Sequence, residues 1–481
     1  MLLRANPSMA WHPFDSAYRE ERLLCEVREA AGSIKRYALP VTIQSLIQRF
    51  DGHTLTVDAV RDYCEEQGSA VDVVRITRLV ERVLVSRQLL VSVGARGVVI
   101  ESSGKDGGRY LDLRAQLLPP GFVAVASRVL TFLFNRYLAL ILGSVLLVAH
   151  LAVYGYLLTV AHTPARDVIA QGGGWIALLV VVAALIHEFG HATAAYRFGC
   201  RQVAIGIGQY LHLTVLYTDL SEAWRLPRIH RVVIDLGGVY FQSLFALGLL
   251  IAAPRVGWGV PLAFFVLNDI AVVTTMNPFL RLDGYWVTSD ATGIANLRAE
   301  SYRLLEESWR NVRSGRWKFA TARVHLGRRA ALLLSVYSVL FCVFAVYIGH
   351  ALLTDVGPAL LRTYPSALVR LRGAVEQRPI ACWPILAAAL KVLWRTLVAY
   401  ALLRFVYRSI ARPIGQLAST ARGWIVRHSR RRTVLGRRHF RKTRSDTCVD
   451  RAAFALERPL QARLVRPLMQ ATDIGTDHLE A

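Results

Sequence analysis

Long apolar runs dominate the chain from about residue 130 onward. A membrane-spanning helix needs roughly 20 consecutive, mainly apolar residues, and six runs reach that length. They cover residues 137–160, 174–196, 230–252, 258–282, 330–353 and 381–406. The pattern therefore predicts a mainly α-helical, polytopic membrane protein with about six transmembrane helices.

The N-terminal part of the chain has a different pattern, in which apolar residues recur at helical spacing among charged ones. Short helices are predicted over 43–50, 57–63 and 73–84, with a turn at "FDGHT" after the first. Residues 88–113 then alternate around a Gly-rich turn, which predicts two strands. Three helices followed by a β-wing indicate a small winged-helix-like module within residues 1–125.

The spacing of this module and its "FDG-T" turn resemble the PqqD-type peptide-recognition domains of peptide-maturation systems. The resemblance implies that a leader peptide binds the module, either as an added strand or in a groove. The alternative interpretation is a cytosolic helical cap without a separate function.

The composition supports the membrane interpretation. Hydrophobic residues make up 54% of the 481 residues and charged residues 19%, whereas a soluble globular chain carries about 25% charged residues. The formal net charge of +24 is also typical of nucleic-acid binding, but most of the positive charge borders the apolar runs, where anionic lipid explains it. We therefore expect anionic lipid, and no nucleic acid, at the basic segments. The six cysteines include no CxxC pair, which indicates free thiols.

The distribution of charge also predicts a topology. The N-terminus has no apolar core long enough for a signal peptide, so we expect the residues before about 130 to lie in the cytosol. Six spans then place 197–229, 283–329 and the tail 409–481 on the cytosolic side, and these segments are rich in arginine. The loop 354–380, predicted to lie outside, is an exception because it also carries arginines. The balance predicts a multi-pass protein of a bacterial inner membrane with both termini cytosolic.

The second apolar run contains the motif "HEFGH" near its end. His187 and His191 are four residues apart, so on a helix they project from one face and can share a metal ion. Glu188 lies beside them, where it can act on a water molecule. A chance occurrence is the alternative, because the pattern is short. Ionisable side chains at the end of an apolar helix are costly unless they serve a function, however, and this setting favours a metal site.

A third ligand is needed, because catalytic zinc usually takes three protein ligands. Asp283, in "TTMNPFLRLDGYW", ends the fourth run, which crosses the membrane in the same direction as the second. Pro278 and Gly284 flank it and predict a broken helix that directs the carboxylate inward. Asp219, in the loop after the HEFGH helix, is a rival third ligand. Asp269 lies about 21 Å from Asp283 along a helix, so we expect it to form a structural hydrogen bond.

The combination of HExxH in one span with an LDG motif about ninety residues later is similar to the site-2 protease family of intramembrane zinc metalloproteases. The likeness covers roughly residues 130–290. "NPFLRLDGYW" and "LYTDLSEAWRLPRIHRVVIDLGG" are most similar to the branch of peptide zinc metalloproteases. The resemblance implies a Zn²⁺ ion held by His187, His191 and Asp283, with Glu188 as the catalytic base.

Two positions depart from the pattern of that family. Many members have an asparagine eight residues before the ligand aspartate, whereas this chain has Thr275 there and the asparagine at Asn277. The resemblance implies Asn277 as a contact to the substrate or its oxyanion. The "GP…N" pattern of the third span is replaced by "GGVYFQ", in which Gln242 is the substitute.

The expected function is an integral membrane zinc endopeptidase that cleaves a peptide or a membrane-associated segment near the cytosolic face, in peptide maturation or export. Two alternatives are regulated cleavage of a membrane signalling protein and a non-proteolytic, peptide-binding component of an export system. The expected partners are the substrate and an export or peptide-modification protein. The predicted organisation is a module at 1–125, a metalloprotease core at 130–290, a basic cytosolic loop at 291–329, two further transmembrane helices at 330–408 and a basic cytosolic tail at 409–481.

Overall fold

A computed structural model gives the fold, which is mainly helical in the part of the chain that it describes. The described residues are 2–28, 34–66, 73–93, 99–100, 111–159, 165–210, 213–314, 325–376, several positions between 385 and 400, and 472–473. The chain forms two compact units, the first containing Met1–Gly208 and Thr214–Phe341 and the second containing Cys342–Leu456.

The strands and helices of the N-terminal region are, in chain order, β1 (Leu2–Ala5), β2 (Met9–Pro13), β3 (Arg22–Arg28), β4 (Ile34–Pro40), α1 (Val41–Ile47), β5 (Asp51–Leu55), α2 (Thr56–Glu66), α3 (Val73–Val80) with a π-helical turn (Glu81–Val85), β6 (Leu90–Val93), β7 (Val99–Ile100) and β8 (Leu111–Leu118). The following elements are α4 (Pro120–Leu130) with a 3₁₀ turn (Thr131–Phe134), α5 (Arg136–Thr159), α6 (Ala165–Arg197), β9 (Ile205–Tyr210), β10 (Leu213–Thr218), a 3₁₀ turn (Ser221–Arg225), α7 (Arg228–Val256), α8 (Gly259–Thr275), α9 (Asp283–Thr292), α10 (Leu297–Arg313), α11 (Arg328–Ala351), a π-helical turn (Leu352–Val356), α12 (Gly357–Glu376) and β11 (Thr472–Asp473).

The three short helices predicted for the N-terminal module are present as α1, α2 and α3. Their apolar faces are buried in one core together with β-strand residues, as the helical spacing requires. The predicted turn at "FDGHT" is instead strand β5, which begins at Asp51 and passes through Gly52 at a φ of 90°. β5 belongs to a sheet of order β5-β1-β6-β7, whereas β8 lies in a different sheet with β9 and β10. The β-wing expectation therefore holds for β6 and β7 only.

A second N-terminal sheet, of order β11-β4-β3-β2, has no counterpart in the elements predicted from the sequence. Its inner strand β3 has almost no exposed residue, so it lacks the alternation of buried and exposed residues that identifies a strand with one solvent-exposed face.

Glu26 of β3 accepts hydrogen bonds from Arg36 and Arg225. Burial raises the pKa of this carboxyl, but Arg225 and Arg36 outweigh burial and hold the pKa below its usual value. The ion pairs thus connect the sheet to the segment that precedes α7.

The described residues contain four helices that are long and apolar enough to cross a membrane: Arg136–Thr159, Gly174–Arg197, Arg228–Val256 and Arg328–Glu376. The first three match the first three predicted spans, and the fourth contains the fifth. The predicted span 258–282 is wrong in length, because α8 ends at Thr275, shortly before Pro278, and leaves only 17 residues of helix. The predicted sixth span, 381–406, lies mostly outside the described residues.

Two segments that were expected to be loops contain helices. The predicted outer loop 354–380 contains α12, which follows α11 through the π-helical turn. The predicted basic loop 291–329 contains α10, which buries Leu297, Ser301 and Leu304 and leaves each of its charged side chains except Glu300 at least partly exposed. Frequent arginines predict a solvated segment, but they do not distinguish a loop from a helix that carries its charges on one face.

Helix α4 precedes the first long apolar helix and has apolar side chains on its buried side and on its exposed side. Val123 packs against the C-terminal half of α6, in a cluster with Ala192 and Ala195. The opposite side of α4 exposes large apolar side chains, among them Phe122 and Val125. An apolar face on a short helix next to a membrane-length helix is typical of a helix lying at a membrane boundary.

Candidate metal centre

The HEFGH motif lies on the C-terminal part of α6, after the apolar stretch of that helix. Gly190, inside the motif, packs directly on α7, because a Cβ at this position would collide with the carbonyl oxygen of Gly237. The close approach of the two helices buries all three ionisable side chains of the motif: His187, Glu188 and His191 are each at most 9% exposed. The local sequence predicts the shared face, and the packing of α6 on α7 buries it.

Asp283 reaches the same place from the start of α9 rather than from the end of the fourth span. After α8 ends at Thr275, the chain turns through residues 276–282 and a new helix begins at the aspartate. Gly284 permits this turn, because a Cβ there would overlap the backbone carbonyl of Met276. The expectation that Asp283 ends a span is therefore wrong. The helix of that span ends at Thr275, before Pro278, and the carboxylate lies in the first turn of the next helix.

The loop before Asp283 is fixed by side chains from two other helices. Arg298 of α10 donates to the carbonyl oxygen of Phe279 at 2.6 Å, and Tyr337 of α11 donates to that of Pro278 at 3.1 Å. The side-chain oxygen of Asn277 accepts from the backbone N–H of Phe279 at 2.9 Å. In this structure Asn277 therefore organises its own loop, and its contact with a substrate stays a prediction.

The structure brings His187, His191 and Asp283 together as a buried cluster. The Nε2 atoms of the two histidines are 3.0 Å apart, and Asp283 Oδ2 lies 2.9 Å from His187 Nε2 and 3.4 Å from His191 Nε2. Ligand atoms around a tetrahedral zinc ion lie roughly 3.3 Å from one another, because each bond is about 2.0–2.1 Å long. The three atoms are therefore spaced as the ligands of one metal ion are.

The opposite side of each imidazole is hydrogen-bonded. His191 Nδ1 lies 2.8 Å from the carbonyl oxygen of Ile234, and His187 Nδ1 lies 2.6 Å from Gln242 Oε1. Both partners are acceptors, so the Nδ1 atoms carry the protons and the Nε2 atoms present lone pairs. Asp283 Oδ2 is buried without a hydrogen-bond partner. Three lone-pair donors thus converge at one point, which is unfavourable unless a cation lies between them.

Gly238 of α7 keeps that point open. A Cβ built at this position would lie 2.5 Å from His191 Nε2 and still closer to His187 Nε2. A side chain of any size would therefore occupy the space that both ligand nitrogens face. The sequence contains a signal for this feature, since "LGGVYFQ" places two glycines inside a long apolar helix, where glycine is otherwise unfavourable. The residues present fit a bound metal ion.

We expect replacement of Gln242 by Leu to weaken metal binding about 10- to 100-fold, which is the usual effect of losing the outer partner of a ligand histidine. Without the amide oxygen the imidazole of His187 is free to rotate and to change tautomer. Metal titration of the purified chain, followed by competition with a chelator, measures the effect. Replacement of Gln242 by Glu keeps an acceptor at Nδ1 and is expected to retain affinity; equal losses in the two variants would contradict the assignment.

Asp219 and Asp269 lie outside the cluster. Asp219 Oδ1 accepts from the backbone N–H of Ser221 at 3.0 Å and so begins the 3₁₀ turn after β10. Asp269 of α8 accepts from Tyr154 at 2.8 Å and contacts His150 at 3.1 Å, both on α5. The expected structural hydrogen bond of Asp269 is thus confirmed, and it joins two neighbouring apolar helices.

A buried ion pair connects two of the helices that form the site. Arg231 of α7 donates from Nε to Asp290 Oδ1 of α9 at 2.8 Å, and both side chains are at most 3% exposed. The pair connects the helix that carries the Ile234 carbonyl to the helix that carries Asp283. Removal of one partner leaves a buried charge unpaired, which costs roughly 3–5 kcal/mol. Sequence reasoning missed the pair, because its members are 59 residues apart and have no periodic signal.

The arrangement offers two imidazoles and one carboxylate to a metal ion and places a second carboxylate, Glu188, on the same helix. Two histidines with one acidic ligand form one of the ligand sets of catalytic zinc, with a fourth position left for water or substrate. Glu188 Oε2 is held 2.6 Å from the hydroxyl of Thr218 on β10.

Comparisons of the chain with protein-family models, with curated proteins and with solved structures find no match.

Proposed function

We propose that this chain is an integral membrane zinc endopeptidase of the site-2 protease type. The observation that carries the proposal is the convergence of His187 Nε2, His191 Nε2 and Asp283 Oδ2 on one buried point at the end of an apolar helix. A buried set of lone-pair donors has no structural benefit of its own. An adjacent acid on the same helix adds the group that hydrolysis needs.

In this proposal His187, His191 and Asp283 hold the zinc ion, which supplies Lewis acidity toward water and the scissile carbonyl when bound. Glu188 takes a proton from the attacking water and passes it to the leaving amine. Gln242 and the Ile234 carbonyl keep the two imidazoles in the tautomer that presents Nε2. Burial of all four side chains excludes bulk water from the ligand atoms.

The membrane setting follows from the four long apolar helices together with two more spans. α8 is the shorter fourth span in this proposal, and the apolar run of the sequence at 381–406 is the proposed sixth. Both termini then lie in the cytosol of a bacterial cell, and HEFGH and Asp283 lie near the cytosolic boundary of the inner membrane. The exposed apolar face of α4, which packs beside the same end of α6, supports this depth. The basic loop and tail contact anionic lipid.

The substrate is a peptide or a membrane-associated segment that is already unwound, because a helical amide is shielded from attack by its own backbone. The N-terminal module is suited to deliver such a segment in a maturation or export system. β9 and β10 are neighbouring strands in the sheet of order β10-β9-β8. β10 lies at the edge of that sheet, where an extended peptide can add a strand.

Zinc-dependent cleavage tests the function directly. The full chain is reconstituted into vesicles that contain anionic phospholipid and is incubated with a mixture of unstructured peptides, whose products are identified by mass spectrometry. We expect cleavage that stops when a chelator removes the metal and returns when zinc is added. Metal-loaded protein that binds peptides without cleaving any of them would overturn the protease assignment in favour of an export component.

Replacement of Asp283 by Ala is expected to reduce bound zinc below one ion per chain, because two imidazoles alone make a weak site. Replacement of Asp219 by Ala is the matched control, since Asp219 holds a turn outside the cluster. Elemental analysis of both purified variants measures the metal content. Zinc that persists in D283A and disappears in D219A would assign the third ligand to Asp219.

A further inference from the structure

Thr218, the last residue of β10, forms a direct contact with the proposed catalytic base. Its hydroxyl oxygen lies 2.6 Å from Glu188 Oε2 and 3.1 Å from the carbonyl oxygen of Glu188. Both of these atoms are acceptors, and a hydroxyl has one proton to donate. The shorter contact goes to a carboxylate, which is the stronger acceptor of the two. Thr218 therefore donates to the side chain of Glu188.

The hydroxyl is itself held in place. Thr218 is 5% exposed, and its β-branched side chain has few accessible rotamers. The next residue, Asp219, is bonded through its backbone N–H to the carbonyl oxygen of Ala204 at 2.8 Å and through its carboxylate to Ser221. The residue that follows Thr218 is thus held through both its backbone and its side chain. A glutamate, by contrast, has several freely rotating bonds and needs an external contact to hold one orientation.

We propose that Thr218 is a positioning residue that fixes the carboxylate of Glu188 for proton transfer. The inference rests on the proposed function. Thr218 engages Oε2, and the other oxygen, Oε1, takes the proton from the attacking water and returns it to the nitrogen of the leaving amine. The strand β10, which lies between α6 and α7 in the chain, thereby contributes to the reaction, because its last residue orients the carboxylate that α6 supplies.

Replacement of Thr218 by Val tests this role, because valine keeps the branched shape and removes the hydroxyl. For a peptide that the wild-type chain cleaves, we expect kcat to fall about 10- to 100-fold, the usual value of a hydrogen bond to a charged group. KM and zinc content should stay at wild-type values. Replacement by Ser, which keeps the hydroxyl, should retain most of the activity.

Three results would overturn the inference: equal loss of kcat in T218S and T218V, a change confined to KM, or wild-type kcat in T218V. Replacement by Ala provides a second hydroxyl-free variant if T218V does not fold with its metal. In a Glu188→Gln background, T218V should cause no further loss. A wild-type chain that cleaves no peptide would refute the protease function, and activity that survives in E188Q would refute the role of Glu188 as the base. An inactive E188Q together with a fully active T218V would refute only the role of Thr218.

Discussion

Replacement of Glu188 by Gln is expected to lower kcat about 10²- to 10⁴-fold, which is the range for loss of a positioned general base. Glutamine has the shape of glutamate but cannot take a proton from water. It can still accept the hydrogen bond from Thr218 through its amide oxygen, so the surroundings of α6 should be unchanged. Zinc should therefore remain bound, because Glu188 is outside the His187, His191 and Asp283 cluster. Single-turnover cleavage of a peptide and elemental analysis of the same sample measure both quantities.

Replacement of Glu306 by Gln provides the matched control for this prediction. Glu306 is an exposed residue of α10 whose partner is Arg310, four residues later on the same helix. An exposed pair of this kind contributes only about 0.3–0.5 kcal/mol, so the control should cleave at the wild-type rate. A zinc-loaded E188Q chain that still processes peptide at the rate of the control would show that Glu188 is not the base.

The local part of the metal centre is predictable from the sequence. Histidines four residues apart must share a face once the segment is helical, and an apolar run of that length is helical in a membrane. The position of Asp283 is also predicted to within a helix end, because the predicted alternation of spans places the ends of the second and fourth runs on the same side. Short-range geometry and topology are sufficient for these three residues, which the structure brings together.

The hydrogen-bond partners of the HEFGH motif cannot be predicted in the same way. Gln242, Thr218 and the Ile234 carbonyl contact the motif from segments 30 to 55 residues away in the chain. No period of 2 or 3.6 residues marks a contact between two elements, and one sequence alone does not indicate which polar residues meet. Only the packing of α6 on α7 identifies Gln242 as the partner of His187.

The N-terminal fold shows a second limit of pattern reasoning. β3 and β4 are covered on both faces, so their residues do not alternate, and Glu26 and Arg36 within them are buried as an ion pair. Charged residues in a short segment ordinarily indicate exposure, so the sequence pattern does not reveal this sheet. The amphipathic helices α1 to α3 are detectable because each keeps one wet face.

Replacement of Gly238 by Ala is expected to abolish stoichiometric zinc binding, with a loss of affinity of more than about 100-fold. The new methyl group would lie within 2.5 Å of both ligand nitrogens. Neither imidazole can retreat easily, because each is held by a hydrogen bond at Nδ1. Movement of α7 away from α6 would separate Gly190 from Gly237 and so break the close contact between the two helices. Elemental analysis and chelator competition on the purified chain measure the loss.

Replacement of Gly248 by Ala separates this steric effect from the effect of alanine on the helix. Gly248 lies on the same helix, and a methyl group added there would have no neighbouring atom within 4 Å. The substitution at Gly248 therefore adds only helix propensity, up to about 1 kcal/mol in favour of the folded chain. The same propensity gain applies at Gly238, but the overlap of the new methyl group with the two imidazoles opposes it there.

The two glycine variants together locate the metal. A G238A chain that is folded but contains no zinc, beside a G248A chain that is fully loaded, would assign the loss to the blocked point between His187 and His191. The reason is that only the methyl group at position 238 enters the space that the two Nε2 atoms face. A fully loaded G238A chain would mean that the metal, if any, is bound elsewhere.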